Sequence, residues 1–138
     1  MKGRFFVDTN VLVYADDADA GSKTARGRHV LREALTSGRG VLSTQVLQEY
    51  FVIATRKLGV EAAVARRKVE LLARMSVVEI DLGLILGAID LHRLHGISFW
   101  DALIVRSAAA AGCQRLLTED LQDGQILDGV RIENPFAA

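Results

Sequence analysis

Four carboxylates lie in or beside strongly apolar segments of the chain. Asp8 directly follows the apolar run Phe5–Val7, and Asp120 comes just after another short apolar run. Glu49 and Asp101 are each the only carboxylate within an apolar stretch. An ionised carboxylate held away from water is costly unless it is paired or bound to a metal. If the four residues converge, their mutual repulsion would destabilise the fold, and the pattern then indicates a bound divalent cation.

The elements that would position these residues alternate between strands and helices. Apolar runs predict strands at residues 5–7, 41–42, 77–80 and 115–118, with a fifth left open at 130–132. Helical patterns run over 11–15, 22–37, 44–57, 61–74, 82–95 and 98–111, with N-caps at Ser22, Thr44 and Ser98. Strands separated by helices imply parallel crossovers and therefore a three-layer α/β domain.

The predicted edge of the sheet is where chemistry is expected. In an open α/β sheet, ligands bind beyond the carboxyl ends of the strands. Asp8 and Asp120 follow predicted strands, and Glu49 and Asp101 lie early in helices that begin beyond strand ends. Taken singly, Asp8 also fits a helix cap, Asp101 a partner of the helix dipole, and Asp120 a turn. Their convergence favours a shared site, and an all-oxygen acidic site suits Mg²⁺ or Mn²⁺.

Four short motifs carry a resemblance to a known family. They occur in order and at fitting intervals, and they are Asp8-Thr9-Asn10, Gln48-Glu49-Tyr50, Trp100-Asp101-Ala102 and Thr118-Glu119-Asp120-Leu121. Together they resemble the acidic motifs of PIN-domain proteins, most closely those of VapC-type toxins of bacterial toxin–antitoxin pairs. The resemblance extends over essentially the whole chain. It implies a Mg²⁺- or Mn²⁺-dependent endoribonuclease on a four- or five-stranded parallel sheet, with RNA as substrate, a cognate antitoxin as partner and a homodimer as assembly.

The chemistry of phosphodiester hydrolysis suggests a role for each acid. The reaction needs an in-line hydroxide and neutralisation of the charge that develops on the phosphate, and a divalent ion serves both needs. The hypothesis assigns Asp8 and Asp101 to the main metal. Glu49 and Asp120 complete the cluster directly or through waters, and either could help to deprotonate the attacking water.

Further residues beside the acids are secondary candidates. Asn10 and Thr118 carry small polar groups that could orient the first and last acids, although Asn10 equally fits a helix cap. Asp123 follows Asp120 by three residues and is a candidate fifth acid or part of a turn. Trp100 could stack on a base, but a single aromatic is more typical of a core.

Composition excludes several other classes of protein. The 138 residues are 50% hydrophobic and 25% charged, which is typical of a globular domain rather than a disordered chain. Cys113 is the only cysteine, so neither an internal disulfide nor a zinc site of cysteine pairs can form. No apolar run reaches the ~20 residues of a membrane span, and the start of the chain lacks signal-peptide features. We therefore expect one cytoplasmic domain over residues 1–138, without membrane contact.

The net charge is zero, but the charges are segregated along the chain. Residues 22–74 hold eleven basic and four acidic residues, whereas the rest holds six and thirteen. The basic middle is either a surface for phosphate or a set of solvated helix faces. Three apolar segments, 11–14, 30–35 and 46–58, are either core or a surface for a second copy or an antitoxin helix.

Three alternatives to the nuclease hypothesis remain. A catalytically silent module would bind RNA or a partner through the basic middle, but it would gain nothing from four carboxylates and predicts no binding of divalent metal. A phosphoryl-transfer domain would need a late lysine, whereas the last lysine is Lys68, and a phosphatase would need an aspartate where Asn10 stands. Metal nucleases that act on DNA are usually larger than this chain.

Overall fold

The computed structural model describes residues 3–137 as an alternation of strands and helices. The strands are β1 (Phe5–Val7), β2 (Gly40–Ser43), β3 (Ser76–Val78), β4 (Arg115–Leu117), β5 (Ile126–Leu127) and β6 (Val130–Glu133). The helices are α1 (Thr9–Asp16), α2 (Ser22–Ser37), α3 (Thr44–Arg56), α4 (Ala62–Leu72), α5 (Leu82–His95) and α6 (Phe99–Ala110). None of the helices in this range is long and apolar enough to cross a bilayer. The expected domain limits, residues 1 and 138, lie outside the described residues.

The strands form one sheet in the order β3-β2-β1-β4-β6-β5. At its centre, Phe6 of β1 pairs in parallel with Val41 of β2 on one side and with Leu116 of β4 on the other. The β2–β3 and β4–β6 pairs are also parallel, whereas β5 runs antiparallel to β6. From β1 the chain adds β2 and β3 on one side of the sheet and then crosses to add β4 on the other side, so the order of the strands reverses between β1 and β4. The crevice beyond the carboxyl ends of these two strands is the position at which open α/β sheets bind ligands.

The predicted three-layer α/β architecture is confirmed. Both β1 and β2 are buried along their whole length, which requires helices on both faces of the sheet. Helices α1 and α2 pack against each other, and α2 also contacts β1 and β2. Helices α5 and α6 form a second pair, and α6 contacts β2, β4 and β6. The helices therefore enclose the central strands and leave the strand ends open.

The sheet includes a short edge strand that the sequence pattern does not predict. Strand β5 turns through Asp128 and Gly129 into β6. Both turn residues have positive φ, at 50° and 78°, as expected for an Asp-Gly pair in a two-residue hairpin. A strand of two residues is too short to show alternation, so only its pairing with β6 identifies it.

Two of the predicted helix caps are wrong by one residue. Ser43 rather than Thr44 caps α3, and its hydroxyl accepts a hydrogen bond from the N–H of Val46 at 3.3 Å. Gly21 rather than Ser22 stands at the N-cap of α2. At α3 two neighbouring hydroxyl residues offer equivalent caps in the sequence, whereas α2 begins after a glycine that makes no side-chain cap. In both cases the point where the strand or loop ends decides which residue takes the position.

The backbones of α1 and α2 approach each other closely at Gly27. A Cβ atom at this position would lie 2.8 Å from the carbonyl oxygen of Val11 and 3.0 Å from the backbone nitrogen of Ala15. Because both atoms belong to backbone, no side-chain rotation could relieve the contact. Gly27 therefore sets the position of α1, the helix that begins immediately after Asp8.

Replacing Gly27 with alanine should destabilise the protein, although alanine is the better helix former. We expect the free energy of unfolding, measured by urea denaturation, to fall by about 1–3 kcal/mol, the usual effect of overpacking. Gly83, in the first turn of α5, is a matched control because a Cβ there meets only Asp81 Oδ1, at 3.4 Å. Gly83→Ala should be neutral or stabilise by up to about 1 kcal/mol. Equal effects of the two substitutions would contradict the packing argument.

Candidate functional site

The four predicted carboxylates line one cavity beyond the carboxyl ends of β1 and β4. The cavity has a volume of about 670 Å³, and its walls include Asp8, Glu49, Asp101 and Asp120. The four acids come from the ends of two strands and from the early turns of α3 and α6. Residues that are far apart in the chain therefore meet at the sheet edge that the strand pattern indicated.

Asp8 connects the central strand to the first helix. Its backbone N–H donates to the carbonyl oxygen of Leu117, at the end of β4, over 3.1 Å. As the N-cap of α1, it accepts from the N–H of Thr9 at 2.7 Å through Oδ1, and from Thr118 Oγ1 at 2.8 Å through Oδ2. Each carboxylate oxygen has a second lone pair, so capping the helix does not prevent Asp8 from binding a cation.

Burial raises the pKa of Asp8 to about 7. The residue is only 5% exposed, and loss of water disfavours the charged carboxylate. Hydrogen bonds from Thr118 and Thr9 act in the opposite direction, and the negative charges of Asp120 and Glu49 add to the rise. A nearby cation would favour the ionised form and return the pKa toward its ordinary value.

Asp101 occupies the first turn of α6 and faces the same charges. Its backbone N–H donates to Ser98 Oγ at 3.1 Å, so Ser98 caps the helix as predicted. Burial raises the pKa of the Asp101 carboxyl, and the charges of Asp120 and Glu49 add to the rise. A side-chain hydrogen bond with Ser98 acts in the opposite direction. The acids are thus close enough to influence one another electrostatically.

Glu49 links α1 to α3 through hydrogen bonds, and its partner Gln45 extends the network to α6. Its Oε1 accepts from Thr9 Oγ1 of α1 at 2.7 Å, and its Oε2 accepts from Gln45 Nε2, one turn earlier in α3, at 3.2 Å. The same amide nitrogen donates to the carbonyl oxygen of Trp100 in α6 at 3.3 Å. Thr9 and Gln45 were not among the predicted site residues. The available signals were the position of Thr9 beside Asp8 and the i, i+4 spacing of Gln45 and Glu49.

Thr118 connects the first of the four acids, Asp8, to the last, Asp120. Its hydroxyl donates to Asp8 and accepts from the backbone N–H of Asp120 at 3.0 Å and from Asn10 Nδ2 at 3.1 Å. The amide of Asn10 also donates to Asp120 Oδ2 at 3.0 Å. Asn10 therefore bonds to the carboxylate of Asp120, and Thr118 to that of Asp8, while their orienting role stays a prediction.

Asp123 lies outside the cavity. It is not among the lining residues, and its Oδ1 accepts from the backbone N–H of Asn134 at 2.9 Å. The structure therefore does not bring this candidate fifth acid to the other four. The contact ties two loop segments together, in agreement with the alternative of a turn residue.

Trp100 is not a core residue, contrary to the expectation for a single aromatic. It is 63% exposed and lines the cavity next to Asp101. Its ring packs edge-on against that of Phe99, with the centroids 5.1 Å apart. Successive residues of a helix point about 100° apart. Because Phe99 packs against the core, its neighbour is directed toward solvent and the site.

A salt bridge holds the segment that carries the last acid. Lys23 Nζ lies 2.9 Å from Glu119 Oε2, and the hydroxyl of Tyr14 donates to the other oxygen of Glu119. Burial acts to raise the pKa of Glu119, but the hydrogen bonds from Tyr14 and Lys23 hold it below its ordinary value. This cluster joins α1 and α2 to the residue that precedes Asp120.

The chemistry of the donor set suits a hard divalent cation. Besides carboxylates, the cavity wall carries two buried amide oxygens with no hydrogen-bond partner among the described residues, Asn10 Oδ1 and Gln45 Oε1. Leaving such oxygens unsatisfied is costly, and an ion or its water ligands would satisfy them. Across residues 3–137, no three His, Cys, Asp or Glu side chains are placed to close around one ion. A cation would therefore use one or two carboxylates and keep several waters, as Mg²⁺ commonly does in proteins.

Comparison with known proteins identifies the family of the chain. The PIN domain model matches residues 5–122, and the chain therefore belongs to the PIN domain family. The matched range includes all four acids of the cavity. The resemblance predicted from the four motifs is thus confirmed, whereas a search of curated proteins finds no match.

Solved structures with a similar fold include toxins and toxin–antitoxin complexes. VapC20 of Mycobacterium tuberculosis, a toxin that cleaves the sarcin–ricin loop, is 23% identical and superposes with a TM-score of 0.65 over 81% of this chain and 86% of its own. A toxin–antitoxin complex from Klebsiella pneumoniae is 17% identical, with a TM-score of 0.70 over 99% of this chain and 100% of the other. DNA-bound VapBC from Salmonella typhimurium is 20% identical, with a TM-score of 0.69 over 96% and 98%. At these identities the likeness establishes the fold.

The raised pKa of Asp8 predicts how stability depends on pH when no metal is bound. The carboxyl titrates near 3.8 as an ordinary aspartate and near 7 in the native protein, so between these values the native state holds one proton more. Stability should then fall as pH rises, by up to about 1.4 kcal/mol per pH unit, and level off above the native pKa. Urea denaturation in EDTA over this pH range measures the slope.

Asp8→Asn is the comparison that isolates this effect, because it removes the titrating group. The difference in stability between the two proteins should change with pH in the sense given above, while contributions from groups distant from Asp8 cancel. Parallel pH profiles for wild type and Asp8→Asn would show that Asp8 is not the source of the dependence.

Proposed function

We propose that this protein is a metal-dependent endoribonuclease, the toxin of a toxin–antitoxin pair, that hydrolyses RNA phosphodiester bonds. The observation that carries the proposal is the convergence of Asp8, Glu49, Asp101 and Asp120 on one cavity in a chain of the PIN domain family. Four carboxylates repel phosphate unless a cation lies between them. VapC20, the similar toxin that cleaves the sarcin–ricin loop, supports RNA as the substrate.

The proposed cofactor is Mg²⁺ or Mn²⁺, because all the available donors are hard oxygens. When bound, such an ion polarises a phosphate oxygen and lowers the pKa of a water. Asp8 and Asp101 are the proposed main ligands, and Glu49 and Asp120 would contact the ion through its waters.

The residues around the acids hold them in place for this chemistry. The backbone of Thr9 and the hydroxyl of Thr118 fix the two oxygens of Asp8, while Thr9 and Gln45 fix those of Glu49. Asp120 differs from the other three acids in being exposed. Asn10 engages its Oδ2, and its Oδ1 accepts no hydrogen bond from residues 3–137. We assign to Asp120 the uptake of the proton from the attacking water.

The proposed partners are a cognate antitoxin and a second copy of the chain. Similar structures include a toxin–antitoxin complex and DNA-bound VapBC. Of the apolar segments considered as a partner surface, 11–14 and 30–35 mostly face the core, as the burial of Leu12 and Val30 illustrates. Most side chains of these two segments therefore belong to the core rather than to a partner surface, and Leu35, at 44% exposed, is an exception.

Exposed apolar side chains lie instead along α5. Leu82, Leu86 and Ile89 are 69%, 53% and 39% exposed and follow the i, i+4, i+7 spacing of one helix face. Burying this face would favour association, which supports the proposed homodimer.

The proposed location of the protein is the cytoplasm.

Purified, antitoxin-free protein should cleave total cellular RNA with Mg²⁺ or Mn²⁺ and not with EDTA. Asp8→Asn should lose at least about 100-fold in rate, because positioning of the ion contributes several kcal/mol to the transition state. Asp90→Asn, at an exposed position on α5 outside the cavity lining, is the control and should cleave as the wild type does. Undiminished cleavage by Asp8→Asn, or in EDTA, would refute the proposed site.

Binding of Mn²⁺ separates the enzyme from a catalytically silent PIN-like module. Calorimetric titration should detect binding to the wild type that Asp101→Asn weakens. A saturating ion should also stabilise the native state, by about 2.7 kcal/mol at one hundred times Kd. A chain that neither binds Mn²⁺ nor gains stability from it would be the silent module.

A further inference from the structure

The cavity extends from the acids as a groove between α1 and α3. A stripe of α3 forms one wall, from Gln45 and Glu49 through Ile53 to Lys57 at the end of the helix. The facing stripe of α1 comprises Asn10, Val13 and Tyr14, and Asp17 caps the end of this helix. Spacings of three and four residues place each set along one face of its helix. From Glu49 to Lys57 the groove follows the helix axis for ~12 Å.

The lining of this groove is apolar in its middle and reaches solvent at Val52 and Trp100. Val13 and Ile104 are buried and Ile53 is half-buried, whereas Val52 is 44% exposed and Trp100 is 63% exposed beside the acids. Holding a hydrated cation needs no such surface. An open aromatic face next to a phosphate-binding site is the arrangement on which nucleic acid bases stack in single-strand-binding proteins.

The side chain of Lys57 places a positive charge at the far end of the groove. Its ammonium group makes no hydrogen bond or ion pair with residues 3–137. The acid at the same end, Asp17, accepts from the backbone N–H of Asp19 at 3.0 Å and so is partly engaged by its own loop. Among the residues that line the groove, Lys57 carries the positive charge available to a phosphate.

We infer that the groove holds one strand of RNA, with a base stacked on Trp100 and a neighbouring phosphate bound by Lys57. This inference rests on the proposed function, which places the scissile phosphate at the acidic end. Along one RNA strand, the acidic end would then receive the scissile phosphate, the apolar surface a base, and Lys57 the next phosphate. A base must leave its helix to reach Trp100, so the site selects unpaired RNA, because the bases of a duplex are stacked and paired.

Intrinsic fluorescence tests this directly, because Trp100 is the only tryptophan of the chain. In the Asp8→Asn background, which prevents cleavage, polyuridylate in Mg²⁺ should quench the fluorescence, whereas the polyadenylate–polyuridylate duplex should not. Adding Lys57→Ala should weaken polyuridylate binding several-fold and lower the slope of log affinity against log salt by about 0.7, the value for one phosphate on a single strand. Lys57 caps α3 through its backbone N–H, so this substitution leaves the helix end intact.

Arg56, the exposed neighbour outside the groove lining, is the matched control, and Arg56→Ala should change neither affinity nor slope. Trp100→Ala should weaken binding of a labelled polyuridylate, followed by anisotropy, about five- to a hundredfold, and Trp100→Phe should recover most of it. Equal binding of the duplex, or indistinguishable Lys57→Ala and Arg56→Ala variants, would overturn the inference.

Two further outcomes keep this inference separate from the proposed function. If the Lys57 and Trp100 variants lose affinity for the antitoxin but bind and cleave RNA normally, the groove belongs to the protein partner and the inference is wrong. If polyuridylate binds as described but the wild-type protein cleaves no RNA in Mg²⁺ or Mn²⁺, the groove stands and the proposed catalytic activity fails.

Discussion

The burial of one carboxylate at the end of the central strand constrains both the fold and the site. Asp8 caps α1, bonds through its backbone to the end of β4 and accepts a hydrogen bond from Thr118. The start of the first helix, the pairing of the two central strands and the edge of the acidic cavity therefore depend on the same residue. Burial raises the pKa of Asp8 to about 7, so the ionised form that a metal requires is also the form that the empty site disfavours. Binding of a cation at this site would therefore be coupled to the stability of the native state through this group.

Neutral polar groups rather than cations surround the acids. Thr9, Asn10, Gln45 and Thr118 bond to the carboxylates, while basic side chains pair elsewhere. Lys23 pairs with Glu119, and Lys68 pairs with Asp16. The negative charge at the strand ends is consequently not neutralised by the protein, which is the electrostatic condition for a divalent ion site. Many basic side chains of the middle segment lie on exposed faces of α2 and α4, so the charge segregation along the sequence agrees with solvated helix faces.

Much of the architecture could be predicted because its signals are local. The apolar runs at 5–7 and 115–118 mark strands of the parallel sheet, and the range predicted for the fifth helix, 82–95, matches α5. The acids meet because each follows a strand or begins a helix at the same edge, which is a consequence of parallel topology. Predictions were less accurate where local signals are degenerate or absent. Two adjacent hydroxyl residues offered the same cap at Ser43, and β5 is too short to have a period.

The residues of the candidate site also fall into those that the sequence indicated and those that only tertiary packing placed. The sequence alone predicted that Asp8, Glu49, Asp101 and Asp120 converge, because Glu49 and Asp101 are single carboxylates in apolar segments and Asp8 and Asp120 follow predicted strands. Packing decided the rest: Thr9 and Gln45 contact Glu49, Trp100 faces solvent, and Asp123 bonds to Asn134 outside the cavity. The direction of a side chain depends on how its helix or loop rotates against its neighbours. That rotation is determined by contacts between residues distant in sequence, which no local pattern records.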